Sequence, residues 1–492
     1  MSAFRFSVPG HLNLDSRLWE SAHLIGIEGV PWWSRRRFQS GQFTIQREID
    51  ESGKLNILWP TQQQGMVSLS TCSLPCGHPP LDLPVELARG TVHRLRWQLD
   101  QWHRIGLRLP AEFYAPHEQA VEQFLQSLTF HRDHDQERYQ SAMRSIDAAL
   151  QAIELMGAAY AHQALEARCA TEGRLNTLVG FHPRSVTAWE WTRQQASAIS
   201  LLSIEAHMGH LQTDQGRIDW DRLDQQIAWA QEHDIKVCVG PLVDFASLPR
   251  WMLLLEQSAE AVWETACKFA QQCVERFAGR VDLWNCAAGL NATSNLHWDE
   301  EDVLRAAVAI LETVRTAAPH TPVLMTINEP WAEYLRDDAS GISPLHFADA
   351  LIRADLGLSG LVLETEVGRW PGGTFPRDLL EWHRLVERWA LLGLPLMLSV
   401  AYDRISPDSI MLWPTSGTSH QESGSETARP TVASRCDSLL RNLVAKPPVH
   451  AVVWKEPRAC GRAEARTAWA ASEPEFSLAV DTFAKLRDQY LE

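Results

Sequence analysis

The sequence predicts an α/β protein: a (β/α)8 TIM barrel from residue 173 onward, preceded by a small β-sandwich-like domain and a helical segment. The chain has 492 residues, too many for one ordinary core, so two or three domains are expected. Its composition, 45% hydrophobic and 22% charged, is that of a folded globular protein. Eight short apolar runs, each followed by a helical pattern, predict the barrel.

Residues 1–86 are expected to form the small β domain. The runs Gln42–Ile49 and Leu55–Trp59 alternate apolar and polar side chains between Gly, Pro, Asp and Asn residues. A cluster of aromatic and basic residues, Trp32 to Phe38, has the composition of a stacking surface for sugar or single-stranded nucleic acid. Nothing else in the segment supports a ligand, and basic residues flanking buried indoles are the simpler interpretation.

Residues 87–172 change to a helical period. Val92, Leu95, Leu99 and Trp102 share one helix face, and the stretch from Arg138 to Arg168 is rich in Ala, Leu, Met and Glu. This segment is expected to pack against the third region as a collar or spacer.

Residues 173–492 are expected to form the barrel. Parallel strands that are buried on both faces lose the alternation of half-exposed strands, which matches the near-continuous apolar runs seen here. A doubly wound open sheet is the alternative, but no Gly-x-Gly-x-x-Gly follows any run. Thr415 to Ala433 is rich in Ser, Thr, Gly and Glu and is expected to be a mobile loop after the seventh strand. The eight runs start at residues 176, 199, 235, 281, 322, 360, 395 and 449.

Acidic residues gather at the carboxyl ends of these runs, where a barrel carries its chemistry. Convergent carboxylates serve glycosidic hydrolysis, divalent metal binding, or hydrogen bonding to sugar hydroxyls. Tryptophans on or beyond the same ends offer sugar platforms, although packing is the more frequent role of any one of them. The acids are Glu205, Asp244, Glu329, Glu364, Glu366, Asp403 and Glu456, and the tryptophans are Trp251, Trp284, Trp331, Trp370 and Trp454.

Two groups of metal-ligand residues stand out. His207 and His210 follow Glu205, but their spacing is not a recognised zinc pattern. Cys72 and Cys76 with His78 form the tightest cysteine group, and two free thiols in a loop are the simpler interpretation. No metal or other cofactor is therefore expected. The nine cysteines, an odd number at irregular positions, do not suggest a disulfide framework.

The charge balance bears on partners. The formal net charge is −16, so the protein as a whole repels nucleic acid and anionic membranes, and neither is expected as a partner. The N-terminus has no apolar h-region, and no run reaches the roughly 18 apolar residues of a membrane span, so cytoplasmic residence is expected. Oligomeric state is left open.

The barrel region resembles the family 10 glycoside hydrolases, the xylanase barrel. The resemblance runs over residues 173–490. It lies in Glu205-x-x-Met208, in Gln215-Gly-Arg-Ile-Asp-Trp220, in Gly240-Pro-Leu-Val243 before Pro249-x-Trp251, in Ile327-Asn328-Glu329, in Gly360-Leu-Val-Leu-Glu-Thr-Glu366, in Leu394-Pro-Leu-Met-Leu-Ser-Val-Ala401, and in Trp454.

The resemblance implies a barrel that acts on a poly- or oligosaccharide, but both catalytic positions of the family differ. That family uses a Glu on the fourth strand as acid and a Glu on the seventh as nucleophile. Gly289 stands at the first position and Val400 at the second, and neither side chain can transfer a proton or form a glycosyl ester. Three positions of the sugar pocket also differ: Ala206, Gly209 and Pro241 stand where the family has Asn, Lys and His.

Three hypotheses follow. In the first, the barrel hydrolyses O-glycosidic bonds with displaced carboxylates: Glu366, Glu364 and Glu329 are the candidate catalytic residues, with Asp244 as an alternative acid. In the second, it is an inactive glycan-binding protein that keeps the groove. In the third, the acidic rim holds a catalytic metal. The candidate substrate-binding residues are Glu205, Asp244, Trp251, Trp454 and Asn328.

Overall fold

The computed structural model confirms the eight-stranded parallel barrel. The described residues are 2–10, 16–62, 64–131, 134–212, 216–253, 258–292, 296, 298–338, 341–369, 373–402, 432–456 and 474–492. Each barrel strand pairs in parallel with the next, and the eighth pairs with the first. In chain order the strands are Leu178–His182, Leu201–Ile204, Lys236–Val239, Leu283–Asn285, Val323–Asn328, Gly360–Val367, Leu396–Tyr402 and Val449–Lys455.

Apolar side chains on both faces of the strands explain why the runs lack alternation. An inner cluster at the barrel axis includes Leu201, Cys238, Leu324, Val362 and Met397. The alternate residues face outward into the larger core under the helices. These helices are Val186–Gln194, Met208–Leu211, Asp221–Glu232, Arg250–Leu253, Ala259–Arg276, Glu300–Ala317, Pro344–Arg353, Leu379–Ala390, Val432–Val444 and Pro474–Gln489.

One further pair of strands extends the barrel on one side of its mouth. Val243–Asp244 pairs in parallel with Ala287–Ala288, beyond the ends of the third and fourth barrel strands. A 3₁₀ turn, Phe245–Ser247, follows directly and begins with the Asp244 carboxylate accepting from the Ala246 amide. We call residues 243–247 the third-strand loop.

The N-terminal residues form two four-stranded sheets, as expected for a small β domain. Apolar residues of both sheets, among them Phe4, Phe43, Leu55 and Trp59, lie in one buried cluster. The first sheet contains Ser2–Ser7, Arg35–Gln39, Gln42–Arg47 and Leu81–Asp82. The second contains His23–Ile25, Pro31–Trp32, Lys54–Thr61 and Gly65–Ser70, and helix Ser16–Ser21 precedes it.

Three long helices follow: Leu83–Arg104, Tyr114–Thr129 and Asp135–Glu172. Asp82 caps the first of them by accepting from the Val85 amide, which satisfies one of its free N–H groups. Gly90 lets this helix lie directly on the second sheet, because a Cβ there would stand 1.9 Å from the Ser70 carbonyl oxygen. No described helix combines the length and the apolar character that crossing a membrane requires.

Buried ion pairs join the N-terminal part to the barrel. The Arg94 guanidinium contacts Asp378 at 2.8 Å and Glu381 at 2.9 Å, at the start of the Leu379–Ala390 helix. The Asp378 carboxylate also caps that helix by accepting from the Leu380 and Glu381 amides. Arg336 donates to the Ser21 carbonyl oxygen and so ties the barrel to the β domain. We call Arg94, Asp378 and Glu381 the interface cluster.

Candidate functional site

The strand register shows which acidic side chains face the barrel axis. Val362 pairs with Met397, and both belong to the inner apolar cluster. Two residues further on Glu364 pairs with Ser399, and after two more Glu366 pairs with Ala401. Since side chains alternate along a strand, Glu364 and Glu366 point to the axis at two successive heights. Glu364 belongs to the deeper layer and Glu366 to the mouth.

In the deeper layer Glu364 is bound to a lysine that the sequence analysis overlooked. The Lys455 ammonium lies 2.5 Å from the Glu364 carboxylate, and both side chains are buried. Beside Lys455 across the sheet is His182, whose Nδ1 lies 2.8 Å from the Ser203 hydroxyl. Burial, reinforced by the charge of Lys455, lowers the pKa of His182 to about 3, so this imidazole is neutral at pH 7.

In the mouth, Arg184 lies between two of the candidate carboxylates. Its guanidinium is 3.6 Å from Glu205 and 3.7 Å from Glu366. Glu366 has a second partner in Arg369, at 2.9 Å. The Glu456 carboxylate accepts from the backbone amides of Arg184 and Ser185 and so fixes the loop that carries the arginine. The structure therefore brings Glu205 and Glu366 together around one shared cation.

Two histidines lie on the other side of Glu205. His210 Nδ1 is 3.1 Å from one carboxylate oxygen, and His207 Nε2 is 3.6 Å from the other. Burial opposes ionisation of Glu205, but the His210 hydrogen bond and the Arg184 charge outweigh it and hold its pKa well below the usual range. Burial lowers the pKa of His207 to about 4. We call Glu205, His207 and His210 the His-Glu cluster.

The third-strand loop occupies the space beside Gly289, the position that resembles the family's acid. Gly289 has a φ of +75°, and a Cβ there would stand 2.6 Å from the Ala246 amide nitrogen and 2.8 Å from an Asp244 carboxylate oxygen. Left-handed backbone disfavours any L side chain, and here backbone atoms also fill the space. The glutamate of the family therefore does not fit this backbone.

The third-strand loop also explains why Gly209 stands where the family that the sequence resembles has a lysine. A Cβ on Gly209 would stand 2.2 Å from the Ser247 carbonyl oxygen and 3.1 Å from the His207 ring. A lysine at this position would collide with both. Gly209 and Gly289 are thus linked, because each allows close approach of one part of residues 243–247.

Asn328 is the neighbour of Glu364 across the sheet and contacts Gly289, and Glu329 follows it in the chain. The Asn328 side chain accepts from the Gly289 amide at 2.6 Å, and its backbone exchanges two hydrogen bonds with the Asn291 side chain. Glu329 has a φ of +47°. Burial raises the pKa of Tyr334, and the charge of Glu329 adds to this effect, while a hydrogen bond with Asn291 opposes it. Asn328 therefore supports the turn after the fourth strand.

Val400 does not face the mouth. It pairs with Thr365, alternates with the inward residues Ser399 and Ala401, and belongs to the outer core with Leu398. The inward positions near the mouth are Ser399 and Ala401, and the alignment of Val400 with the family's nucleophile stays a prediction. In the described part of the seventh strand, neither inward residue carries a carboxylate. Asp403 lies outside the described residues.

The candidate tryptophans are mostly covered. Trp284, Trp331 and Trp454 are buried, and the Trp454 ring stacks on Tyr402 with centroids 5.7 Å apart. Trp251 is half-buried and donates to the Gln212 carbonyl oxygen, which leaves it the most accessible of the four. Trp370 and most of the predicted Thr415–Ala433 loop lie outside the described residues.

Sequence reasoning missed two cations of the site. Arg184 and Lys455 follow or end barrel strands in the same way as the acids, so their position was the available signal. Arg369, which the sequence did offer as a partner of the two acids, does pair with Glu366. The cysteine group is also clarified: Cys76 donates to the Glu51 carbonyl oxygen, and the eight described cysteines are free thiols. Among the described residues, the His-Glu cluster is the group with metal-ligand geometry.

Comparison with known proteins gives matches among solved structures. Xylanase 10B from Thermotoga petrophila RKU-1, in complex with xylobiose, is 14% identical; the match covers 66% of this chain and 96% of that one, with a TM-score of 0.43. The GH10 structure from Paenibacillus barcinonensis is 13% identical, with 65% and 96% coverage and a TM-score of 0.44. Native xylanase 10B from Thermotoga maritima is 14% identical, with 67% and 98% coverage and a TM-score of 0.43.

The chain is similar in fold to solved family 10 xylanases. This is the family that the sequence motifs resemble, and the closed parallel barrel is the shared architecture. No protein-family model and no curated protein matches the sequence.

Proposed function

We propose that the protein binds a poly- or oligosaccharide at the mouth of its barrel and does not cleave it by the double displacement of family 10. The observation that carries the second half is Gly289, whose left-handed backbone and close contact with Ala246 and Asp244 exclude an acid at that position. Double displacement needs two carboxyl groups about 5–5.5 Å apart across the scissile bond. A carboxyl group at position 289, which would be the acid of that pair, does not fit.

The mouth offers suitable chemistry for sugar hydroxyls. Glu205 and Glu366 supply acceptors and Arg184 supplies donors, in one row with contacts of 3.6 and 3.7 Å. Contacts of this length leave room for hydroxyl groups to replace them as hydrogen-bond partners. Trp251, half-buried near the third-strand loop, is the candidate stacking face.

Hydrolysis by displaced carboxylates is the competing proposal, and the inward orientation of Glu366 favours it. Against it stand the partners of each carboxylate: Glu364 binds Lys455, and Glu366 binds Arg369 and Arg184. A general acid must be free to reach the leaving oxygen of the substrate, whereas each of these carboxylates is held by a cation. Glu329 and Asp244 would then have to supply the acid.

Calorimetric titration with β-1,4-linked xylo-oligosaccharides, together with a reducing-sugar assay, separates the two proposals. We expect binding without sugar release, and at least a tenfold loss of affinity in Glu205→Gln. The matched control is Glu301→Gln, which removes an exposed carboxylate on an outer helix and should leave affinity unchanged. Sugar release by the wild type that disappears in Glu366→Gln would overturn the proposal, and so would a panel of β-linked oligosaccharides among which none binds.

A further inference from the structure

We propose that the His-Glu cluster binds one divalent transition-metal ion, with Zn²⁺ the favoured species. The inference goes beyond saccharide binding and does not depend on it. The ligand atoms of Glu205, His207 and His210 all lie within 4.8 Å of one another. Two imidazoles and a carboxylate suit Zn²⁺ and its transition-metal neighbours, whereas Mg²⁺ and Ca²⁺ favour oxygen ligands.

The distances fit a tetrahedral ion. Ligands at 2.0–2.1 Å from a tetrahedral centre are separated from each other by about 3.3 Å. His210 Nδ1 lies 3.1 Å from one oxygen of the Glu205 carboxylate, and His207 Nε2 lies 3.6 Å from the other oxygen. Rotation of the carboxylate and small movements of the rings would place one oxygen and both imidazole nitrogens around one ion.

The backbone holds the histidines in this arrangement. His207 is the N-cap residue, in extended backbone, of the short helix Met208–Leu211, and His210 lies within the single turn of that helix. Their ring centroids lie 4.0 Å apart. Gly209 between them lets the Ser247 carbonyl oxygen approach and leaves space for the His207 ring.

The His207 ring is buried with one nitrogen turned toward the cluster. Its side chain is only 4% exposed, its Nε2 lies 3.6 Å from Glu205, and its Nδ1 has no hydrogen-bond partner among the described residues. In the neutral tautomer that binds an ion through Nε2, Nδ1 carries the proton, and metal-bound imidazoles commonly donate this proton to an outer partner such as water. His210, by contrast, is 59% exposed, so an ion can reach the cluster from solvent.

The surrounding charges define which side of Glu205 is available. Arg184 lies 3.6 Å from Glu205 on the side of Glu366 and is shared between the two carboxylates. The histidines lie within reach of the same carboxylate, and Asp244 adds negative charge near His207. Three protein ligands leave the fourth tetrahedral position for water or for a sugar hydroxyl.

The experiment is titration of the purified, metal-stripped full-length protein with Zn²⁺ alone, by calorimetry, with metal content after dialysis as a second measure. We expect one equivalent per chain, and at least a hundredfold weaker binding in His210→Ala, a substitution at an exposed side chain that should not disturb folding. Co²⁺ in place of Zn²⁺ gives a visible absorption band when the site is tetrahedral, and this band should also disappear in His210→Ala.

Two control variants make the result specific. His162→Ala removes an exposed histidine that lies 3.4 Å from Glu166 on the long helix Asp135–Glu172, a His-Glu pair without a third ligand, and it should leave binding unchanged. Cys72→Ser tests the thiol group as a rival site. The proposal is overturned by absence of stoichiometric binding, by equal binding in His210→Ala and wild type, or by loss of the bound ion in Cys72→Ser.

Discussion

In two places in this molecule one arginine lies between two carboxylates, and the two places differ in how closely the charges approach each other. In the interface cluster Arg94 contacts Asp378 and Glu381 at 2.8 and 2.9 Å, with the arginine and Asp378 fully buried. In the mouth Arg184 contacts Glu205 and Glu366 at 3.6 and 3.7 Å and is itself 15% exposed. The close contacts of Arg94 fix two regions of the molecule together. The contacts of Arg184 are longer, so this arginine is the member of the mouth whose donors a ligand can take over most easily, although Glu366 keeps its close contact with Arg369.

The largest effect is expected in the interface cluster. Arg94→Met leaves Asp378 and Glu381 buried without their common cation, and removing one partner of a buried ion pair costs about 3–5 kcal/mol of folding free energy. Urea unfolding measures the loss. Arg305→Met, which breaks the exposed pair with Glu301, is the control and should cost less than about 1 kcal/mol. Equal losses in the two variants would refute the contrast.

The deep pair Lys455–Glu364 is expected to behave like the interface cluster, although it lies inside the barrel. Lys455→Met removes the ammonium group beside the buried Glu364 carboxylate and should lower the free energy of unfolding by about 3 kcal/mol. The double variant Lys455→Met with Glu364→Gln removes both charges and should recover part of that loss. If the double variant is no more stable than the single one, the pair does not act as a structural unit.

Gly289→Ala tests the third-strand loop. The left-handed backbone alone costs about 1–2 kcal/mol, and the contact with Ala246 adds to it. Gly65→Ala is the matched control, since Gly65 has a φ of +70° but open space around its Cβ position. We expect thermal unfolding to show a clearly larger loss for Gly289→Ala. Equal losses of stability in the two variants would show that the third-strand loop moves aside to accept the added methyl group.

The smallest effect on stability is expected at the mouth. Arg184→Met removes a cation whose two contacts are longer than those of Arg94 and which is itself 15% exposed, so the free energy of unfolding should fall by less than in Arg94→Met. Affinity for oligosaccharide should nevertheless fall at least tenfold, because the shared donor is lost. Chemical unfolding and calorimetry on the same preparation check both halves, and a loss of stability comparable to that of Arg94→Met would remove the distinction between the clusters.

The sequence predicted the architecture because barrel strands leave a local signal. Eight apolar runs gave eight strands, and the helical period gave the three long helices, since both patterns depend on neighbouring residues. Alternation along a strand is also local, and it places Glu364 and Glu366 on the same face of the sheet.

The partners of those acids could not be predicted in the same way. Lys455 meets Glu364 from a strand more than 80 residues away, and Arg184 meets Glu366 from the loop after the first strand. Val400 was placed at the nucleophile position by its place in a motif, whereas the strand register shows that its side chain lies in the outer core. Such assignments depend on tertiary packing and on the phase of a strand within the sheet.

The pairing of Val243–Asp244 with Ala287–Ala288 carries a lesson for protein engineering. It locks the chain segment beside Gly209 to the one that carries Gly289, so the two positions cannot be redesigned one at a time. An acidic side chain at position 289 would demand a new path for the backbone from Gly240 to Leu248, because on the present backbone its Cβ would stand 2.6 Å from the Ala246 amide nitrogen.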